Sequence, residues 1–170
     1  MPGEMPREGA WDAAGGAAPT PVAPLHLLKM AVGIASLDEL RRVRAARMKQ
    51  HGGSWVYTRN QPRRAASVLA GGSIYWVIRG QIRVRQRITG LRSERDDANS
   101  GTRGRAYCLI EVDPELVATL WRPWRPFQGW RYLSPGDAPP DAPGGWSMPE
   151  AAEGAMPERM IAELRALGLW

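Results

Sequence analysis

Apolar and polar positions alternate most regularly between Ser73 and Arg92, SIYWVIRGQIRVRQRITGLR, and this stretch predicts a β-hairpin. Ile74, Tyr75, Trp76, Val77 and Ile78 form the first half, and Ile82, Val84 and Ile88 punctuate the second. Gly80 lies between the halves, where reversal needs positive φ, so the turn falls at Arg79-Gly80 or at Gly80-Gln81. Either turn places Tyr75, Val77, Ile82, Val84, Gln86 and Ile88 on one face. Ile74, Trp76 and Ile78 then share the other face with Arg83, Arg85 and Arg87.

Around this hairpin the pattern switches period several times. Leu25 to Val32 (LHLLKMAV) reads as a first strand. Ser36 opens a helix through a capping box with Glu39, and Leu37, Leu40 and Val43 give its apolar stripe, with Arg41, Arg42 and Arg44 alongside. This helix runs to about Gln50 and His51 and stops at Gly52-Gly53. Trp55 to Thr58 predicts a short strand, and Pro62 starts a second short helix that Gly71-Gly72 ends. Ser93 to Gly104 reads as a polar loop, Arg105 to Val112 as a strand, and Glu115 to Leu120 (ELVATL) as a turn or brief helix. In WRPWRPFQGWRYL, Pro123 and Pro126 bar a central strand, while Phe127 to Leu133 can be extended.

Residues 1–24 are Ala-, Gly- and Pro-rich without period and predict a disordered extension. Residues 25–133 form the expected core domain, 134–156 a Pro/Gly-rich connection, and 157–170 a helix packed on that core. The expected class is α+β, with a mixed, curved sheet or small β-barrel and two or three short helices, because crossover helices are missing after the hairpin.

Charge sharpens the picture. The chain carries 23 basic and 17 acidic residues, but Arg41 to Arg105 alone holds 16 of the cations and three of the acids. A basic middle in an acidic surround favours a polyanionic partner, RNA or another nucleic acid, against the plainer reading of a solvated basic surface. The single cysteine, Cys108, excludes an internal disulfide framework and fits a reducing, cytoplasmic setting. No apolar run approaches the ~20 residues that span a bilayer, so no membrane partner is expected.

Candidate chemistry is sparse. His26, His51 and Cys108 stand far apart without metal-ligand spacing, so no metal or other cofactor is expected. Cys108 reads as a buried thiol, and His26, next to Leu25 and Leu27, as a hydrogen-bonded structural imidazole. Phosphate-cradling glycine loops are absent, and no residue set names a catalytic reaction. What remains is cationic and aromatic. Trp76, Arg79, Arg83, Arg85 and Arg87 predict a binding platform on the hairpin, with Trp130 and Arg131 in a second wall beside Trp124 and Arg125. Gln86, pointing to the apolar side, needs amide partners, and with Gln128 and Tyr132 it defines an alternative ligand pocket. The competing structural reading packs the indoles into the core under arginine stems.

The motifs GGSIYWVIRGQIRVRQRI and FQGWRYL, with the following DAP, resemble a small bacterial family, domain-of-unknown-function family 1489. The likeness runs from about Leu25 to the C-terminal LRALGLW and implies no activity. The helix ending in Gly, the Trp-bearing strand and the Arg-rich strand are also similar in pattern to PUA-like barrels, which implies RNA binding by analogy alone.

Three readings follow for the whole chain. One is a nucleic-acid-binding protein without catalysis, another an enzyme or receptor with a pocket between hairpin and FQGWRYL. The third is an interaction protein docking through Met160, Ile161, Leu164 and Leu167. Since residues 1–24 offer little to bury, their deletion is expected to leave the melting temperature nearly unchanged by calorimetry. A drop of many degrees would mean that Trp11 is docked.

Overall fold

The computed structural model describes residues 22–95 and 104–143. Most of the expected extension and connection, and the whole helix at 157–170, lie outside those residues. The order is β1 (His26–Met30), α1 (Leu37–His51), β2 (Trp55–Thr58), α2 (Ala65–Leu69), β3 (Ser73–Ile78), β4 (Gln81–Arg95), β5 (Ala106–Val112), β6 (Val117–Pro123) and β7 (Trp130–Leu133). The strands form one seven-stranded sheet in the order β2-β5-β4-β3-β1-β7, with β6 pairing β4 off this path. β1 and β3 are parallel, and every other pair is antiparallel. The α+β class with a mixed, curved sheet is therefore the architecture observed, and the sheet does not close into a barrel.

Local chemistry accounts for the first helix. Ser36 Oγ accepts the Glu39 N–H at 3.1 Å, as the capping box requires. The Glu39 carboxylate reaches one residue further than expected and accepts the Ala35 N–H at 2.7 Å. At the other end Gly52 adopts φ 69°, and its N–H returns to the Met48 carbonyl at 2.9 Å. The second helix is shorter than Pro62 implies. It starts at Ala65 after an Arg64 cap with no side-chain bond, and the Gln61 side chain accepts the Ser93 hydroxyl instead.

The hairpin turns at Arg79-Gly80, with φ 47° and 74°, the doubly positive pattern whose twist suits two-residue connections. Its facing departs from simple alternation. Trp76 pairs with Val84 while Val77 pairs with Ile82, so Arg83 is an extra residue on β4. This β-bulge inverts the facing of everything after it. Ile74, Trp76 and Ile78 share the main core with Val84 and Ile88, whereas Tyr75, Val77 and Ile82 join a smaller cluster on the other face with Leu28 and Leu133. Arg85 and Arg87, which pair with Tyr75 and Ser73, consequently do not share a face with Trp76.

β4 is also longer than the sequence implies. It continues through Arg95, paired with Ala106 to Val112 in β5, where a polar loop was expected from Ser93. Along the same edge its first half pairs with β6, Val84 to Ala118 and Arg85 to Val117. The ELVATL segment is thus largely strand, because its β-branched Val117 and Thr119 meet an open ladder at β4. Pro123 ends β6, as a residue without an N–H should.

α1 and α2 cover the main core, contributing Leu40 and Val68. Trp124, Phe127 and Ala138 pack against the second cluster. The segment after β7 lies along β6, with the Leu120 N–H on Pro140 O at 2.9 Å and the Ala142 N–H on Ala118 O at 2.9 Å.

The sheet begins at β2 and ends at β7, yet curvature brings these edges together. Trp130 Nε1 donates to Asn60 O at 3.0 Å, and the Arg64 N–H donates to Tyr132 Oη at 3.1 Å. Side chains and the loop after β2 bridge this seam where strand pairing does not.

Gly72 is the tightest point of the α2–β3 connection. A Cβ there would collide with the carbonyl oxygens of both Leu25 and Val68. Its own N–H and C=O bond Val68 O and the Ile88 N–H at 2.9 and 3.0 Å, so the backbone cannot retreat freely. Gly72→Ala is expected to destabilise the protein by about 1–3 kcal/mol in urea unfolding, the range typical of forced overpacking.

Candidate functional site

The hairpin disperses the groups expected to form a platform. Trp76 is only 5% exposed, and its Nε1 donates to Gln86 Oε1 at 3.1 Å. Gln86 is fully buried and donates through Nε2 to Asp113 O at 2.9 Å. Its amide therefore finds the partners that burial demands, one of them a backbone group. Arg85 forks onto Asp141, with Nε to Oδ1 at 2.6 Å and an NH2 to Oδ2 at 2.7 Å. That pairing raises the Arg85 pKa and holds the Asp141 carboxyl below its usual range. Arg83 is buried with its guanidinium 4.2 Å from the Trp121 ring centroid. Arg79 at the turn and Arg87 further along β4 are exposed, separated by the buried and paired members.

The second expected wall divides by strand parity. On β7, Trp130 packs toward the main core, while Leu133 joins the opposite cluster. Arg131 follows Leu133 to that side, 5.8 Å from the Phe127 ring centroid. Trp130 and Tyr132 remain together, their rings edge to face at 4.9 Å.

These two rings stand in the seam between β7 and β2, and the basic groups there come from a segment that the hairpin reading passed over. One depression of about 410 Å³ is lined by Lys29, Tyr57, Arg59, Asn60, Gln128 and Trp130, among others. A second, of about 780 Å³, adjoins it across Trp130 and adds Gln61, Arg63, Arg64 and Tyr132. Together they form a groove with Lys29, Arg59, Arg63 and Arg64 on its walls and no described acidic residue lining it. Burial lowers the Lys29 pKa. Tyr57, 53% exposed, adds a further ring, tilted 35° to Tyr107 with centroids 5.2 Å apart.

Of the residues expected from sequence, Gln128, Trp130 and Tyr132 thus meet in one place, and Trp76, Arg83, Arg85 and Gln86 do not reach it. Gln86 lies in the core, bonded to Trp76 and Asp113, and the wall opposite FQGWRYL is formed by residues 57–64. The available signal was RNQPRR, residues 59–64, in which cations and amides precede a weakly capped helix.

Residues 27–170 match the family described as "Protein of unknown function (DUF1489)". The chain belongs to that family. No curated protein and no solved structure matches it, and the PUA-like resemblance gains no support. The DUF1489 match spans both walls of the groove.

Two other groups in this DUF1489 chain have structural roles. Cys108 is fully buried, and burial pushes its thiol pKa up, which suits packing better than nucleophilic attack. Among the described residues, no three His, Cys, Asp or Glu side chains are grouped to hold a metal. No described helix is long and apolar enough to cross a membrane.

His26 ties β1 to β3, because its Nδ1 accepts the Ser73 N–H at 3.0 Å. Burial, and secondarily the charge of Arg85, lowers its pKa. The neutral imidazole is the form the fold selects, whereas the unfolded residue protonates at about pH 6.5. Below that value the unfolded chain binds more protons, so stability is full above about 6.5 and falls as pH drops toward the folded-state pKa. The slope is expected to stay within about 1.4 kcal/mol per pH unit. Urea unfolding between pH 8 and 5 should show this loss, and His26→Asn, which keeps an acceptor without a titration, should flatten it. Asp141 contributes only in more acid solution, below the ordinary carboxylate value of about 3.9.

Proposed function

We propose that this protein binds a single-stranded nucleic acid, RNA foremost, along the groove between β2 and β7. The observation that carries this reading is the composition of the groove: four cations, Lys29, Arg59, Arg63 and Arg64, surround Trp130, Tyr132 and Tyr57 with no described carboxylate among them. Such a lining attracts phosphates and offers ring faces to unpaired bases, whose stacking is worth about 1–3 kcal/mol each. The amides of Asn60, Gln61 and Gln128 add donors and acceptors for base edges or ribose hydroxyls.

A strand laid in the groove meets the proposed phosphate contacts at Arg59, Arg63 and Arg64, while the end near Lys29, Gln128 and Trp130 receives a base. This reading assigns the groove a binding role and no catalytic step. Arg79 and Arg87 are exposed on the hairpin away from this lining, and they serve as controls.

Fluorescence anisotropy with a labelled single-stranded RNA, measured against salt, tests the assignment. Three or four phosphate contacts give a log–log salt slope of about −2 to −3 for single strands. Replacing Arg63 and Arg64 together by Ala is expected to reduce that slope by about 1.4, two contacts' worth, and to weaken binding at least ~10-fold at low salt. Arg79→Ala should change little. Flat or absent binding, or equal losses in the groove and hairpin variants, would remove the proposal.

A further inference from the structure

A second basic site lies on the other side of Tyr57, around Arg44. This residue enters the interior from α1 and is 6% exposed. Its two terminal nitrogens donate to Trp55 O at 2.9 Å and to Ser54 Oγ at 3.2 Å, and its Nε has no partner. Its guanidinium carbon lies 5.9 Å from the Trp76 ring centroid. No carboxylate pairs with it among the described residues. A guanidinium has five N–H donors, so the two protein bonds leave three in hand.

Burying a cation beside a ring, a carbonyl and a hydroxyl leaves its charge without a counter-ion, a costly arrangement unless something anionic completes it. Burial, with the neighbouring charge of Arg47, lowers the Arg44 pKa to about 10, so the group is still charged at neutral pH. It is not sealed off. Arg44 lines two clefts, one of about 290 Å³ shared with Arg41, Ser54 and the apolar Met48 and Leu116. The other, of about 310 Å³, it shares with Arg47, His51 and Trp55.

We infer that Arg44 anchors a binding site for the oxyanion group of a small molecule, phosphate or carboxylate, in the clefts between α1 and β2. Arg47, one turn along α1, supplies an outer charge, as does Arg41 one turn before, which also pairs with Asp38 at 2.7 Å, and Ser54 supplies a hydroxyl donor. The apolar wall of Met48 and Leu116 and the Trp55 ring accommodate the body that carries the anion. This site does not rest on the nucleic-acid reading of the groove, because none of Arg41, Arg44 and Arg47 lines that groove.

Titrating inorganic phosphate, and separately acetate, into the full chain at constant ionic strength tests the inference. The readouts are the Arg44 Nε–H and Trp55 indole N–H signals in nitrogen-correlated NMR spectra. A saturable shift of both is expected, with phosphate alone pointing to a phosphoryl ligand and acetate alone to a carboxylate. Arg41→Ala or Arg47→Ala, both exposed positions, is expected to weaken that response by about tenfold, the loss typical of one charge-assisted hydrogen bond. Arg44→Gln should abolish the Trp55 shift, and the exposed-site variants decide the question if that protein does not fold. The Arg63 and Arg64 double variant should respond as the native chain does, which separates this site from the groove. No saturable shift with either anion, or a shift equally strong in the Arg41 and Arg47 variants, would overturn the inference.

Discussion

The buried amide of Gln86 holds the point at which the sheet changes partners. β4 meets β5 along its second half and β6 along its first, on one edge, and the chain between those two leaves the ladder at Asp113. A carbonyl released there must find a donor, since an orphaned buried acceptor costs about 1–3 kcal/mol. Gln86 Nε2 supplies that donor, while its Oε1 takes the Trp76 indole N–H from β3. One side chain thus joins β4 to β3 and to the β5–β6 connection. An apolar residue of the same size would strand both partners.

Curvature follows from the same strand. The extra residue at Arg83 bends β4 against β3, and a second register shift between Ile88 and Gly90 bends it against β5. Two bulges in a single long strand coil the sheet until β2 and β7, its two ends, face each other across a gap. Asn60 and Arg64 close the gap by bonding Trp130 and Tyr132, groups that are not part of any ladder. The groove is therefore what remains of an incomplete barrel. Its position is fixed by the core, even though three of its four cations, Arg59, Arg63 and Arg64, come from the segment between β2 and α2.

Much of this architecture was legible. Ser36 with Glu39, the glycine stop at Gly52, the strand at Trp55 to Thr58 and the hairpin itself each carry a local chemical signal, and local signals survive folding. The failures involve choices made between strands. Nothing within IRVRQ says that Arg83 will be bulged, because a bulge depends on how β6 and β3 grip β4 from both sides. That one extra residue puts Arg85 and Arg87 on the face opposite Trp76. ELVATL was read as helix or turn for a related reason: its propensity is ambiguous, and the open edge of β4 decides it. The groove escaped because its two walls, 57–64 and 128–132, are far apart in sequence and meet only through curvature. Gln128, Trp130 and Tyr132 were recognised on one wall, but their true counterparts were hidden in a segment read mainly as the approach to a helix.

The distribution of arginines gives the chain's basic middle its meaning. A cation that folding intends for structure is given an acid or a ring, as Arg85 has Asp141 and Arg83 has Trp121. Arg59, Arg63 and Arg64 are given neither within the groove they line, and exposure makes that cheap, since water solvates them. Arg44, like Arg83, is buried beside a ring, Trp76 at 5.9 Å, but it also lines two clefts that open to solvent. Its bonds to Trp55 O and Ser54 Oγ tie α1 to the start of β2 and use two of its five donors, and the remaining three are what an oxyanion would take.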